Sequence, residues 1–327
     1  MTVNRGEFGI IKEILSPLAA KMPGAFGLTD DAACLSLETG RELVLTKDAM
    51  VAGIHFLDDD PPSLIAKKLL RTNLSDLASM GARPEGYLLA TAWPDSCDEN
   101  WIREFAAGLK DDQDFFNIGL LGGDTVRTPG PLTLSLTALG SVKTGKAMRR
   151  NGAKVGDIIC VSGTIGDGAF GLKSVLGKLD ELSLASRQFL ENRYRLPMPR
   201  LRLGEILTDF ASSCLDISDG LVADIGHICE QSDVGALLYK ERLPISKAGR
   251  EVLDQNPDYW GLVFGGGDDY ELAFSVPPDR QKEAFDRAEE AGIAVTAIGT
   301  IVAGDSPQIL DSNDQIVSID QAGYKHF

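Results

Sequence analysis

The aspartates of this chain are its most informative residues, because several of them directly follow an apolar stretch beside glycine or serine. They are Asp30-Asp31, Asp48, Asp76, Asp124, Asp216, Asp219 and Asp268-Asp269. Turns at strand ends and helix starts can converge on one cleft, where carboxylates repel one another unless cations lie between them. Mg²⁺ suits such a set, because it takes oxygen ligands, keeps some waters and bridges carboxylates to phosphates. The pattern therefore indicates a magnesium site that faces a phosphorylated ligand.

Each aspartate also has an ordinary structural interpretation. Ser75-Asp76 and Ser218-Asp219 would each satisfy backbone N–H groups at the start of a helix. Gly122-Gly123-Asp124 would form a plain turn. Capping explains single residues but not six acidic turns, so we expect the set to converge.

Glycines flank several of these acids, at Gly122-Gly123, at 163–171 and at 265–267. Backbone without a Cβ can approach a phosphate closely, and successive N–H groups form anion nests. Glycine-rich turns are common, so this signal is weak by itself.

Three familiar motifs are excluded. The segment GSVKTGKA at 140–147 resembles a P-loop, but no Ser or Thr follows Lys146 and no amphipathic helix comes next. The chain has no H-R-D or D-F-G signature of a protein kinase. DISDGLVADIGH at 216–227 does not place acids at the alternate positions of an EF-hand.

Composition bounds the class of protein. A chain of 327 residues is long for a single core and indicates two domains. Lys and Arg total 32 against 48 Asp and Glu, a formal charge of −16 that disfavours nucleic acid and anionic membranes as partners. The five cysteines are scattered without a C-x-x-C pair, and no apolar run approaches the ~20 residues of a membrane span. We expect a cytoplasmic protein with reduced thiols.

Hydrophobic periodicity predicts interleaved helices and strands. In the first half the predicted elements are a helix over 7–22 interrupted by Pro17, strands at 32–37 and 42–48, a helix over 61–81, a strand at 86–93, a helix over 98–110, and strands at 118–121 and 132–142. A polar crossover over 143–157 separates this half from a second one that opens with a strand, DIICVSG. The fold class is therefore mixed α/β (α+β), with domains at 1–145 and 146–327.

Longer motifs resemble one family. They are DDAACLSL at 30–37, TKDAMVAGIHF at 46–56, NLSDLASMGA at 73–82, GLLGGDT at 119–125, LDISDGL at 215–221, GGGDDYEL at 265–272 and GYKHF at 323–327. In this order, over essentially the whole chain, they are similar to the thiamine-monophosphate kinase family. NLSDLASMGA and LDISDGL are shared in form with the wider superfamily of AIR synthase and selenophosphate synthetase.

The resemblance implies a fold, a reaction and a set of partners. It implies a two-domain AIR-synthase-like architecture, in which the N-terminal domain binds ATP and metal and forms a dimeric, β-barrel-like interface, and the C-terminal domain is α/β. It implies a homodimer that uses several Mg²⁺ ions and ATP to phosphorylate thiamine monophosphate. Phosphoryl transfer to an ionised phosphate oxygen needs in-line positioning and charge compensation, so no residue is assigned as a general base.

Site residues are implied only where a motif matches. The implied metal ligands are Asp31, Thr46, Asp48, Asp76, Asp124, Asp216 and Asp219. The implied nucleotide contacts are Gly123, Asp124, Arg150 and Ser218, and the implied contacts to thiamine phosphate are His55, Asp268 and Tyr324. From the residues alone, His55 and Tyr324 would also fit packed positions, and Arg150 a surface charge.

Three residues depart from the family pattern. Thr29 replaces a Gly before the acidic pair, which predicts a different turn rather than a lost ligand. Lys47 replaces a small hydroxyl residue, so its ammonium would stand in for part of one metal's charge, or would point to solvent. Asp268 stands where Glu is common and is one methylene shorter, which predicts a water-mediated contact to substrate.

Two other functions compete with the kinase interpretation. One is a different ATP-dependent enzyme of the AIR-synthase superfamily, although the first 27 residues offer no cysteine of the kind that selenophosphate synthetases carry there. The other is a non-catalytic protein that binds metal or nucleotide.

Overall fold

The computed structural model of the chain describes residues 6–179, 181–318 and 323. The chain folds into two compact units, one from residues up to 77 together with 83–145, the other from 78–82 together with 146 onwards. Each unit holds one β-sheet and several helices, so the predicted mixed α/β class is confirmed. The functional roles assigned to domains 1–145 and 146–327 stay predictions.

In its described residues, the first unit holds a four-stranded sheet and three α-helices. Its helices are α1 (Gly6–Ile10), α2 (Pro62–Ser79) and α3 (Glu99–Phe116), and its strands are β1 (Arg41–Val51), β2 (Arg83–Trp93), β3 (Leu120–Arg127) and β4 (Thr133–Lys143). The strand order is β1-β4-β2-β3, with β2 and β3 parallel and the other pairs antiparallel.

The side chains of each strand alternate between the two faces of this sheet, and the two faces differ chemically. Asp48 lies opposite Leu136, and Leu136 opposite Leu89, and both leucines are buried. Helix α3 contacts this face, since Gln113 Nε2 donates to the Tyr87 hydroxyl at 2.8 Å. Because neighbouring residues of a strand point to opposite sides, every second residue lies on the other face, which we call the outer face.

The second unit is built on a six-stranded sheet of order β10-β7-β9-β5-β8-β6. Its strands are β5 (Ile158–Ser162), β6 (Ser213–Asp216), β7 (Gly235–Tyr239), β8 (Leu272–Val276), β9 (Val295–Val302) and β10 (Pro307–Leu310). Its helices are α4 (Asp167–Val175), α5 (Leu184–Arg195), α6 (Leu201–Leu207), α7 (Leu221–Ser232), α8 (Lys247–Gln255), α9 (Trp260–Gly265) and α10 (Gln281–Glu290).

Local signals account for the boundaries of α2 and α3. Pro62 occupies the first position of α2, where its missing N–H costs nothing. Asp98 caps α3 by accepting from Trp101 N at 2.8 Å, and Asn117 ends that helix in the left-handed region. The helix therefore begins where it was predicted and continues six residues beyond the predicted end at 110, to Phe116.

Two predictions at the N-terminus need correction. No strand forms at 32–37, where the Cys34 N–H donates to Gly24 O at 2.8 Å and so binds a turn instead of a neighbouring strand. The predicted helix over 7–22 is broken into α1, a π-helical segment over 11–15 and a 3₁₀ segment over 16–19 that contains Pro17. Proline cannot donate the N–H that a continuing α-helix requires.

The cysteines and the helices of the described residues bear on two further expectations. Its five cysteines are all free thiols, with Cys34 exposed and the other four buried. Across 6–179 and 181–318, none of the helices combines the length and the apolar character that a bilayer crossing demands.

A buried ion pair fixes α2 against α3. The Arg71 guanidinium donates to both oxygens of Asp112, at 2.7 Å and 2.9 Å, and the two side chains are 11% and 3% exposed. One turn earlier in α2, Lys67 pairs at 2.8 Å with Asp111, the neighbour of Asp112 in α3, but the Asp111 side chain is 67% exposed. The two helices therefore share one buried and one largely exposed ion pair.

We expect Asp112→Ala to destabilise the first unit by about 3 kcal/mol, because the Arg71 charge stays buried without this carboxylate. Urea unfolding followed by tryptophan fluorescence measures the effect, since Trp93 and Trp101 both lie in the first unit. The control Asp111→Ala removes an exposed partner and is expected to cost less than about 1 kcal/mol. Equal losses for the two variants would contradict the distinction.

Candidate active site

Apart from Asp31, the predicted metal ligands of the first unit lie within regular elements, not in turns. Asp48 is in β1, Asp76 is inside α2 and Asp124 is in β3. The expectation of acidic turns is therefore wrong for these three residues. The two structural alternatives are also wrong, since Ser75-Asp76 is far from the start of α2 and Gly122-Gly123-Asp124 is strand.

A cluster of oxygen atoms forms between β1 and α2. Thr46 Oγ1 donates to Asp76 Oδ2 at 2.5 Å, and the Asp48 N–H donates to Asn73 Oδ1 at 3.2 Å. Burial raises the pKa of Asp48, and a hydrogen bond from Thr72 partly opposes this. The structure thus brings together three predicted ligands, Thr46, Asp48 and Asp76, on the helix-covered face of the sheet.

His55 lies in the turn that follows β1, close to the same cluster. The Val51 N–H donates to His55 Nδ1 at 3.0 Å, so in the neutral ring the proton is on Nε2. The ring nitrogen that can act as a donor is thereby defined by the backbone. The buried Lys68 donates to the His55 carbonyl oxygen at 3.2 Å and ties this turn to α2.

Asp31 and Asp124 line a different part of the first unit. They share a cavity of about 530 Å³ with Asp30, Gly122 and Gly123. At Gly123 an added Cβ would lie 1.8 Å from the Leu89 carbonyl oxygen, so only glycine allows this approach of β3 to β2. The cavity is therefore lined both by carboxylates and by glycine backbone.

Strand register separates the two groups of predicted ligands. Asp124 lies opposite Ala90, Ala90 opposite Ser135, and Ser135 opposite Ala49, so Asp124 is on the outer face. Thr46 and Asp48 point to the other face, and β1 is three strand spacings from β3, roughly 14 Å. One copy of this sheet therefore does not bring Asp124 to the β1–α2 cluster.

In the second unit, three loops carry the predicted residues or adjoin them. We call them loop 163–168, which includes the first two residues of α4, loop 216–220, which includes the last residue of β6, and loop 265–270, which includes the last residue of α9. The second and third of these loops contain Asp216, Ser218, Asp219 and Asp268. The Asp268 N–H donates to Ser218 O at 3.0 Å, and the Tyr270 N–H donates to Ile217 O at 2.8 Å. The predicted nucleotide contact Ser218 and the predicted substrate contact Asp268 are thus joined through backbone.

Asp224 is a site-supporting residue that sequence analysis missed. One of its carboxylate oxygens accepts from the N–H groups of Ser218, Asp219 and Gly220, at 3.0–3.1 Å. Burial raises the pKa of Asp224 to about 6. Neither Ser218 nor Asp219 caps α7, so the capping alternative is wrong here too. The sequence does contain a signal for this role. Asp224 is an acid four residues after Gly220, and from that position its side chain can reach back over the first helical turn to the N–H groups before the helix.

A second group of buried charges was also missed. Glu271 is fully buried and accepts from Arg193 at 2.9 Å and from Arg200 at 2.6 Å. Asp269 is buried beside it, and burial raises the pKa of Asp269 to about 7. Their side chains lie behind the loop that carries Asp268. The family resemblance assigns a role only to the first acid of this motif, Asp268.

Two predicted site residues remain, Arg150 and Tyr324, together with the lysine of the rejected P-loop. Arg150 is exposed, and its carbonyl oxygen accepts from the Ser232 hydroxyl at 3.2 Å. Tyr324 lies outside the described residues. Lys146, the lysine of the rejected P-loop, donates to Asp209 at 3.0 Å, and no helix begins after it until Asp167.

Within 6–179, 181–318 and 323, no three acidic, imidazole or thiol side chains lie close enough together to hold a metal ion. The metal roles of Asp31, Asp48, Asp76, Asp124, Asp216 and Asp219 stay predictions.

Comparison with known families and relatives covers nearly the whole chain. Residues 29–142 match the AIR synthase related protein N-terminal domain, and residues 154–312 match the corresponding C-terminal domain. The thiamine-monophosphate kinase of Caulobacter vibrioides is 44% identical over 302 residues, covering 91% of this chain and 85% of that protein. The one from Escherichia coli K12 is 39% identical over 98% of both chains.

Solved structures give the same result. A thiamine-monophosphate kinase from Stenotrophomonas maltophilia is 42% identical with a TM-score of 0.80, covering 86% of this chain and 89% of its own. AaThiL complexed with AMPPCP and TMP is 28% identical with a TM-score of 0.78, covering 99% and 97%. Hydrogenase maturation protein HypE, at 17% identity, shares the fold alone. With relatives of this identity along its whole length, the chain belongs to the thiamine-monophosphate kinase family of phosphotransferase enzymes.

Proposed function

We propose that this enzyme transfers the γ-phosphate of ATP directly to the phosphate of thiamine monophosphate, with the help of several Mg²⁺ ions, and so forms thiamine diphosphate and ADP. The observation that carries the proposal is the match, over 99% of this chain, to a relative solved with an ATP analogue and TMP. The predicted nucleotide and substrate residues are present at the matching motifs, apart from the departures at Thr29, Lys47 and Asp268.

The donor atoms of the first unit suit Mg²⁺. Thr46, Asp48 and Asp76 offer only oxygen, and Asp48 is a carboxylate whose ionised form is disfavoured by burial. A cation beside it would offset that cost, and hard oxygen donors are the ligands that Mg²⁺ prefers. When bound, Mg²⁺ would neutralise the phosphate charges and polarise the transferring group. Asp31, Asp124, Asp216 and Asp219 are proposed to hold further Mg²⁺ ions.

The remaining residues bind and orient the two substrates. His55 offers an N–H at Nε2, which suits a phosphate oxygen of thiamine monophosphate. Arg150 and the Gly123 backbone are proposed to contact ATP, since a guanidinium fork and bare N–H groups both match phosphate oxygens. Asp268, a carboxylate, complements the positive ring of the thiamine moiety, and Tyr324 is proposed beside it. The acceptor oxygen is already ionised, so no base is required.

The outer face of the first unit is proposed to bind a second copy of this chain. Four large aliphatic side chains on this face are exposed, namely Leu43, Leu45, Leu88 and Val126, at 43%, 62%, 40% and 50%. An apolar face of this kind in a sheet marks an interface, and one self-complementary patch produces a two-fold dimer. Two such sheets would enclose a barrel-like interface. The proposed location is the cytoplasm, which keeps the free thiols reduced.

Lys47 shares this outer face with Asp124. Both positions belong to the alternate set of residues that points away from α2, and Lys47 is exposed. Within one copy the two residues are separated by three strand spacings, roughly 14 Å. In the proposed dimer the ammonium of one copy can approach Asp124 of the other. We propose that it replaces part of one metal's charge there, so that fewer Mg²⁺ ions bind.

With ATP, Mg²⁺ and thiamine monophosphate, we expect the purified enzyme to form thiamine diphosphate and ADP in equal amounts. EDTA is expected to abolish the reaction, and Asp124→Asn to reduce the rate roughly a hundredfold or more, because a metal ligand loses its charge. Chromatography of products measures both, with thiamine as a parallel acceptor. Asp95→Asn is the control, since that side chain is fully exposed.

Three outcomes would contradict parts of this proposal. ADP without thiamine diphosphate would indicate another acceptor and thus another enzyme of the superfamily. Absence of turnover with every acceptor would indicate a binding protein. A labelled phosphoprotein after mixing with γ-labelled ATP would exclude direct transfer.

We expect Leu45→Asp to convert the dimer to a monomer, because two carboxylates would be buried in the apolar interface without partners. Analytical ultracentrifugation measures the change as a halving of the molecular mass. The control Leu184→Asp alters a side chain that is 70% exposed in the second unit, and it should leave the mass unchanged. A monomeric parent enzyme would refute the interface.

We expect Lys47→Thr to raise the number of bound Mg²⁺ ions and to shift the metal concentration that gives half-maximal activity. The physical reason is that removing an ammonium leaves a neighbouring carboxylate to be neutralised by a cation. Equilibrium dialysis with ATP present counts the ions. Lys67→Thr is the control, because Lys67 pairs with the exposed Asp111. Unchanged stoichiometry and metal dependence would mean that Lys47 only faces solvent.

A further inference from the structure

The three loops of the second unit are packed backbone against backbone. An added Cβ at Gly168 would lie 2.3 Å from the Asp268 carbonyl oxygen, and one at Gly267 would lie 2.3 Å from the Ser218 carbonyl oxygen. These distances are too short for any side chain, so glycine is required at both positions. Loop 163–168, to which no role has been given so far, is therefore in direct contact with the loop that carries Asp268.

Asp269 joins these two loops through both of its carboxylate oxygens. Its Oδ2 accepts from the Gly166 N–H at 2.7 Å, and its Oδ1 accepts from the Gly168 N–H at 3.0 Å. The side chain is completely buried. A carboxylate can accept at both oxygens, whereas an amide offers one oxygen and turns an NH₂ group toward the second donor. The site therefore requires an aspartate and not only a residue of its shape.

Charged side chains also contact the backbone at Asp269 and the nearby Glu271. Arg193 donates to the Asp269 carbonyl oxygen at 3.2 Å and to Glu271 at 2.9 Å. Arg200 forms a second contact with Glu271, and Asp167 lies on the far side of Arg193 at 3.9 Å. An added Cβ at Gly163 would lie 2.2 Å from the Glu271 carboxylate. Both ends of loop 163–168 are thus fixed to the motif that contains Asp269.

The backbone on either side of Asp269 is in a conformation that ordinary residues avoid. Asp268 has φ +68° and Tyr270 has φ +50°, both in the left-handed region. Such residues persist only where surrounding contacts determine their conformation. The contacts that do so here are the two hydrogen bonds of Asp269 and the backbone bonds to Ser218 and Ile217.

We propose that Asp269 is a positioning residue for Asp268. By clamping loop 163–168 to loop 265–270 it fixes the left-handed backbone from which Asp268 presents its carboxylate to the substrate. The proposal rests on the proposed function, because the contact between Asp268 and thiamine phosphate belongs to that function. Asp269 itself is buried and does not touch the substrate.

A double-mutant cycle tests whether Asp269 acts through Asp268. We expect Asp269→Asn to raise the KM for thiamine phosphate about tenfold while the KM for ATP stays within about twofold. In an Asp268→Ala background the same substitution should have little further effect, because the side chain that it positions is gone. Additive effects would overturn the proposal. Asp279→Asn, an exposed acid of the same unit, is the control.

Hydrogen exchange tests the clamp without reference to activity. Asp269→Asn should increase amide exchange in segments 163–171 and 265–272 together, and Asp279→Asn should not. Unchanged exchange overturns the clamp, whatever acceptor the enzyme uses, whereas an inactive parent enzyme with the expected exchange refutes only the proposed reaction.

If Asp269→Asn does not fold, Gly168→Ala replaces it, since its new methyl group presses on the Asp268 carbonyl oxygen. Gly261→Ala is its control, because an added Cβ there meets nothing within 4 Å. An unchanged KM for thiamine phosphate in Gly168→Ala overturns the proposal.

Discussion

The alternation of side chains along β1 is the constraint on which the first unit depends. It sends Thr46 and Asp48 toward α2, where Asp76 accepts the threonine hydroxyl, and it sends Lys47 to the outer face with Asp124. A one-residue change of register would exchange these two sets. The pairing of β1 with β4 over eleven consecutive residues therefore determines which side of the sheet carries Thr46 and Asp48 and which side exposes Leu43 and Leu45.

Much of this arrangement could be predicted from local signals, and the failures have physical reasons. Pro62 and Asp98 mark helix starts through their own backbone chemistry, so α2 and α3 were located correctly. The pattern of acidic turns includes Asp76, although the helix predicted over 61–81 also contains it. In the structure the apolar periodicity of α2 continues through Asp76, and a long-range partner, Thr46, lies opposite the aspartate. The strand predicted at 32–37 failed because an apolar run needs a neighbouring strand as well as a suitable composition.

The buried acids of the second unit could not be found in the same way. Asp269 bonds to Gly166 across 103 residues of chain, and no spacing rule connects positions so far apart. The family motifs assign a role to Asp268, which is half-buried, whereas the adjacent Asp269 is completely buried and accepts two backbone hydrogen bonds. Sequence resemblance therefore pointed to the proposed ligand contacts and not to the buried residues packed behind them.

These observations separate two uses of carboxylate in a chain with a formal charge of −16. Asp224 and Asp269 accept hydrogen bonds from backbone N–H groups, and Glu271 pairs with two arginines. The proposed Mg²⁺ ligands Thr46, Asp48 and Asp76 lie in the first unit. An acidic composition by itself thus cannot give the number of metal ions, because buried carboxylates that the protein satisfies with its own donors contribute to the charge without being candidates for metal binding.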